Sequence, residues 1–435
     1  MTQLTTTEFE KPTTEVSKLT PTEIGKAVGR KRYWIAAFAF LAFLVAYLDR
    51  SNVGVLVADP GFVNAFGIAQ DKSAQGSLMS IFLICYGVSN FLAGPLVQYI
   101  GPKRALVFGL LWWAGMMAVM GAISSILIML VCRGLLGIGE SMLSPAVASL
   151  IQAWFPKKER TTANGVWFIG MKVAQIIAAP ILALWVYQVG WRGSFYILAV
   201  IGLIPMCLTA YHVYDHPSKS PKVSKEEADY ITSGGGVAAV KTTKIDYSFL
   251  KTSSIWYITA VFSIATATIW GFVSWVPSYL KATLGFSWAQ MGALAALPFL
   301  SATVSVMVFT PLMDKSNRRA LFVLVGLAIC AGALVFAMTT ESRMVAVVVL
   351  SLATAGCSLT VPACFAMVQN VTSQNQVATA TGIFNGVSYT FASIAPFGMG
   401  LLYDWTGTLK SGFLGLSAIV VIAVFLCIPL AVRRL

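Results

Sequence analysis

Histidine, acid and paired cysteine are what this sequence has least of. Its two histidines, His212 and His216, sit together, and its 7 cysteines fall singly with no Cys-x-x-Cys pair. Zinc-ligand spacing is missing, and a disulfide framework has no basis. Charged residues make up only 11% of the chain against 57% hydrophobic, and the mean hydropathy is +0.77. A soluble domain cannot bury that much apolar surface, so the chain is expected to be an integral membrane protein. No P-loop, no Gly-x-Ser-x-Gly elbow and no polar segment longer than one linker occurs, which leaves nothing from which to build an enzyme or a sensor. The net charge of +13 does not mark a nucleic-acid binder, because the cations lie in short loops and tails between apolar segments.

A window of about 20 residues, the length that crosses a hydrocarbon core, predicts an all-α protein of twelve transmembrane helices. Their expected spans are 34 to 58, 76 to 100, 104 to 124, 126 to 152, 164 to 189, 193 to 214, 255 to 282, 287 to 313, 319 to 339, 343 to 370, 377 to 404 and 409 to 432. Residues 1–33 are polar, rich in Thr, Glu and Lys, and read as a cytoplasmic N-terminal tail rather than a cleavable signal. Residues 215–252 are the longest internal polar stretch and contain Pro217, Pro221 and Gly234-Gly235-Gly236. They read as a cytoplasmic linker between six-helix bundles at 34–214 and 253–435, with room for one short surface helix.

Lysine and arginine set the orientation. Arg30, Lys31 and Arg32, then Lys103 and Arg104, then Lys157, Lys158 and Arg160, then Lys315, Arg318 and Arg319 all fall in loops on one side. By the positive-inside rule both termini are cytoplasmic. An internal echo accompanies the division: Pro95-Leu96 leads to Lys103-Arg104-Ala105-Leu106 after the second span, and Pro311-Leu312 leads to Arg318-Arg319-Ala320-Leu321 after the eighth. Two halves sharing a motif at the same loop fit a carrier built from repeats, with its site where the halves meet.

Along its whole length the chain resembles the major facilitator superfamily. The echoed loops match that superfamily's motif, roughly G-x-x-x-D-[RK]-x-G-[RK]-[RK]. The first copy keeps Gly94, Gly101 and Lys103, with Arg104 following, but has Gln98 and Tyr99 at the acidic and basic positions. The second keeps Asp314, Lys315, Arg318 and Arg319 but has Thr310 and Asn317 at the glycine positions. The resemblance implies gating by ion pairs at these loops; the alternative is that the cations only fix topology. Within the superfamily, Tyr47-Leu48-Asp49-Arg50-Ser51-Asn52, Trp154-Phe155-Pro156, Gly190-Trp191-Arg192 and Thr381-Gly382-Ile383-Phe384-Asn385 resemble the anion:cation symporter family. That implies proton-coupled uptake of a sugar acid or other small carboxylate, with protons as the coupling ion and no cofactor or metal. Such carriers usually work as monomers in the bacterial inner membrane. An exporter or exchanger of the same fold, or uptake of an aromatic carboxylate, dicarboxylate, sulfonate or phosphonate, are the alternatives.

Five ionisable residues lie inside apolar spans: Asp49, Arg50, Arg133, Glu140 and Lys172. Charges at bilayer depth are costly and mark functional sites by default. Arg133 and Glu140 are two helical turns apart and share a face over about 10 Å. Asp49 and Arg50 are adjacent and diverge by about 100°, so each is free to serve a different partner. The economical arrangement has Arg50 meeting the substrate anion and Asp49 pairing with Arg133, with Asp49 and Glu140 as the proton-coupling acids. The alternative is a buried network that only holds the first and fourth spans together. The resemblance adds Tyr86, Ser358, Thr360 and Asn385 as substrate-binding candidates and aligns Trp275 with a family pattern. Each polar one can equally be an interhelical contact. Lys172 departs from the family, where a polar residue one position earlier touches substrate; here that position is Met171. With Gln175 on the same face, Lys172 can bind a second anionic group, pair with Glu140 or snorkel to the interface.

Overall fold

The structure is a computed structural model, and it describes residues 29–156, 159–234, 247–316, 318–372 and 377–433. The expected tail therefore lies almost entirely outside the described residues, as do Lys157, Lys158 and Asn317. Among the described residues every regular element is helical. Ten helical runs are long and apolar enough to cross a membrane. One of them, at 163–212, is two spans joined at Gly190, whose φ of 72° lies in the left-handed region and turns the chain back. A further crossing is made by Val377–Ala392 followed by Ile394–Thr406. Among the described residues this is consistent with twelve crossings, at the places hydropathy predicts.

Local chemistry sets where the spans begin and end. The first runs Arg32–Leu56. The second, Lys72–Ile100, is capped by Asp71, whose carboxylate accepts from the Ala74 N–H. The eighth opens at Trp288 on a capping box of Ser287 and Gln290. The fourth and tenth spans are both broken near their middles. The fourth is Ile126–Glu140 then Leu143–Trp154, and the tenth is Arg343–Ser358 then Thr360–Val371. Interrupted helices at corresponding places in two halves point to a site between them.

The halves pack tightly at the end remote from the linker. There the second span meets the eleventh so closely that a Cβ on Gly76 would strike the Pro396 carbonyl, and one on Gly400 the Lys72 carbonyl. Asp404, at the end of the eleventh span, accepts hydrogen bonds of 2.9 Å from both the Lys72 and Ser73 N–H groups. The Trp288 indole donates to the Ala183 carbonyl at 2.7 Å, joining the eighth span to the fifth. Among the described residues, the hydrogen bonds between halves cluster at this end.

On the linker side, a helix at Lys225–Ser233 is tied to the N-terminal half. Arg32, 1% exposed, meets Glu159 at 2.8 Å and Glu227 at 3.3 Å. Glu227 also accepts from the Lys31 and Arg32 N–H groups, and the Tyr230 hydroxyl donates to Glu159 at 2.8 Å.

Candidate functional site

Four of the five intramembrane charges are 2% exposed or less: Asp49, Arg50, Arg133 and Glu140. The packing of the first, second and fourth spans brings them together. Arg50 Nε donates to Glu140 Oε2 at 2.6 Å, across 90 residues of chain. The guanidinium is also boxed by aromatic rings, 4.8 Å from the centre of Tyr47, 5.4 Å from Phe82 and 4.5 Å from Tyr86. The other face of this cluster holds Arg133, 4.9 Å from the same Phe82 ring, with Nε donating to the Leu78 carbonyl at 3.0 Å.

The pairing differs from the one expected. Sequence spacing assigns Asp49 to Arg133 and leaves Arg50 open, whereas the structure gives Arg50 to Glu140 and gives Arg133 a backbone carbonyl. Asp49 and Arg133 are near enough to interact electrostatically, yet both Asp49 oxygens lack a hydrogen-bonding protein partner. The same is true of Glu140 Oε1, Arg133 Nη1 and both amide atoms of Asn52. Buried polar groups are normally satisfied, and breaking that rule costs about 1–3 kcal/mol per group, more for a charge. Six such atoms on four residues make this the most polar-deficient part of the described interior.

Beside the cluster lies a cavity of about 120 Å³ between the halves. From the N-terminal half it is lined by Arg50, Tyr86, Lys172 and Gln175, and from the other half by Asn385 and Tyr389. Five sequence-predicted candidates thus meet in one space. Lys172 Nζ contacts Gln175 Oε1 at 3.4 Å. Ser358 and Thr360 are buried, at 3% and 0%, beside the break in the tenth span and outside the cavity wall. Trp275 is also buried, and its indole donates to the Pro396 carbonyl at 2.9 Å, so it is an interhelical contact.

Sequence reasoning missed much of the wall. Trp167 stacks on Phe43 with centroids 4.3 Å apart, Tyr86 meets Tyr389 at 5.1 Å, and Tyr47 meets Trp270 at 6.3 Å. The last two pairs join the halves across the cavity. A usable signal existed for one of them: Tyr389 is four residues after Asn385, on the same helical face. Ser144, just past the break in the fourth span, had no such signal.

The loops named for gating are partly visible. Gly101 has φ of 90° and ends the second span, and the Lys103 N–H donates to Asp215 Oδ1 at 2.8 Å. Asp215, at the root of the linker, thus holds the start of the third span beside the loop where Gln98 replaces the motif's acid. Lys103 Nζ lies 4.7 Å from the Tyr214 ring centre. The Gly94 face is open, Arg104 and Arg318 are exposed, and Arg319 is half-buried. The side chains of Asp314 and Lys315 lie outside the described residues.

A multi-pass helical bundle, closed at one end and enclosing a charged cavity where its halves meet, is the architecture of a membrane carrier. The chain belongs to the Major Facilitator Superfamily, whose sequence model matches residues 39–396. It is 25% identical over 385 residues to the probable L-galactonate transporter of Escherichia coli K12, covering 85% of this chain and 83% of the relative. It is 28% identical to the probable sulfoacetate transporter SauU of Cupriavidus necator, covering 88% and 90%, and 27% identical to the hexuronate transporter of Bacillus subtilis, covering 89% and 92%. Among solved structures, a bacterial homologue of the human lysosomal transporter Spinster superposes with a TM-score of 0.74 at 17% identity, over 93% of this chain and 97% of that one. The protein is a transporter and not an enzyme.

Proposed function

We propose that this carrier takes up a small organic anion together with protons across a cell inner membrane, by alternating access. The observation that carries the proposal is the Arg50–Glu140 pair of 2.6 Å at the edge of the cavity. A substrate anion that binds Arg50 competes with Glu140 for it. Protonating Glu140 removes that competitor, and a bound anion on Arg50 in turn favours the protonated acid. Proton and anion binding therefore reinforce each other, and the coupling is reciprocal. Asp49, unpaired by hydrogen bonds and near Arg133, is the second acid available for the proton path.

By the positive-inside rule the loop cations support a cytoplasmic linker and cytoplasmic termini. The packed end is then external, and the conformation is closed to the outside. Rocking of one half against the other about the cavity would expose the site to each side in turn. The relatives named for galactonate, hexuronate and sulfoacetate support an anionic substrate, either a sugar acid or a sulfonate. The carrier is taken to act as a monomer. The test is uptake of labelled sugar acids, dicarboxylates and sulfonates into proteoliposomes, with and without an inward proton gradient. Gradient-stimulated uptake of at least one class is the expected result, and uptake indifferent to the gradient would remove the coupling.

A further inference from the structure

We infer that Lys172 is a second anion-binding group and that the cavity selects a compact dianion, one anionic group on Arg50 and the other on Lys172. The inference rests on the organic-anion reading above and narrows it.

Three destinations were open to Lys172, and its surroundings remove two. Pairing with Glu140 is not made: that acid is held by Arg50, and among the described residues Lys172 has no acid within ion-pair distance. Snorkelling is blocked by depth. The fifth span starts at Arg160 and turns at Gly190, so at a rise of about 1.5 Å per residue Lys172 is about 18 Å from one end and about 27 Å from the other. No lysine side chain bridges either distance, and its side chain lines the cavity instead of following the helix to the surface. What remains is a cation in the cavity wall whose one side-chain hydrogen bond among the described residues goes to the neutral Gln175.

Charge balance gives the valence. Arg50, Arg133 and Lys172 face Asp49 and Glu140, leaving an excess of one positive charge when both acids are ionised. Protonating either acid raises the excess to two. A site that takes up a proton with its substrate is then neutral with a dianion and remains charged with a monoanion, and uncompensated buried charge is strongly disfavoured. The rest of the wall agrees. Trp167, Phe168, Phe262, Phe365 and Trp270 supply apolar surface, whereas Ser144, Gln175, Thr266 and Asn385 are the neutral polar side chains besides the tyrosines. A short dianion with an apolar spine suits that wall better than a long polyhydroxylated chain. The volume of about 120 Å³ suits it too.

The test is binding to the purified full-length protein, read by intrinsic tryptophan fluorescence because Trp167 and Trp270 line the cavity. Malonate, succinate and 3-sulfopropionate are compared with propionate and butyrate, in wild type, Lys172→Gln and Lys172→Arg. Wild type should bind the dianions at least about tenfold more tightly than the monoanions, as expected of one added charge-assisted contact. Lys172→Gln should lose that preference, the ratio of dianion to monoanion affinity falling at least about tenfold because the cation that meets the second anionic group is gone, and Lys172→Arg should keep it. Equal affinity for both classes in wild type overturns the inference without recourse to any variant, and so does a preference that survives in Lys172→Gln. Uptake measured in parallel separates the two readings. Lys172-dependent dianion binding without gradient-driven uptake supports this inference and overturns the coupling. Gradient-driven uptake confined to monoanions supports the coupling and overturns this inference.

Discussion

Arg50 and Glu140 are two residues whose positions were readable from the sequence and whose partnership was not. Each stands out as a charge in an apolar run, but the rotation of one span against another is set by packing that no local pattern encodes. The Phe82 ring 5.4 Å from Arg50 and 4.9 Å from Arg133 is such packing. It follows that Glu140→Gln should abolish uptake driven by a proton gradient while leaving exchange of labelled for unlabelled anion, since Arg50 still binds the anion but no proton is bound and released with it. Loss of both activities together would assign Glu140 to structure instead. Arg50→Ala should weaken substrate binding by at least about 100-fold, the scale of a buried charged contact of about 3 kcal/mol, with a detergent melting temperature measured alongside to show that the protein folds. Asn52 and Ser144 escaped notice because a lone polar residue in a span has no distinguishing pattern.

At the scale of elements, hydropathy located every crossing but none of the interruptions. A window of about 20 residues averages over a break as narrow as the single residue Leu359 or the pair Ser141 and Met142, so the broken fourth and tenth spans stayed hidden. The crossing of the second and eleventh spans was equally silent, since Gly76 and Gly400 are unremarkable among 36 glycines until the facing carbonyls are seen. Replacing Gly76 with Val should prop the packed end apart. Cysteines placed on the rim of that end would then label faster than in wild type, and unchanged labelling would mean the closed end does not depend on this contact. The linker helix offers a separate test. Burial alone would raise the Glu159 carboxyl, but hydrogen bonds and charge from Arg32, with the Tyr230 and Tyr33 hydroxyls, outweigh it and hold the group below the usual carboxylate range. A depressed folded-state value contributes stability above the unfolded value of about 4.3 and loses it as pH falls through the folded one. Burial and Glu159 push Tyr230 up to about 12, so it remains a donor at neutral pH. Hydrogen exchange in Lys225–Ser233 should therefore be slow at pH 7 and quicken, after correction for intrinsic rates, at acid pH. In Glu159→Gln the pH dependence should be reduced, leaving only what the Arg32–Glu227 pair contributes.

Across the whole molecule, the two-halved helical architecture was legible because apolar length, cationic loops and the repeated motif are all local signals that survive without a partner. The cavity was legible only in outline. Its charges came from the sequence, but its aromatic walls are contributed by residues as far apart as Phe43 and Tyr389, which only the folded arrangement of halves brings together. The central claim is that anion movement through this cavity is tied to proton movement through Glu140 and Asp49. The most direct measurement is uptake in proteoliposomes carrying a trapped pH dye, comparing wild type with Glu140→Gln and Asp49→Asn at a fixed substrate concentration. Internal acidification is expected when substrate is added to wild type, and none in either variant. Substrate accumulation without acidification, or acidification that persists in either variant, would contradict this coupling.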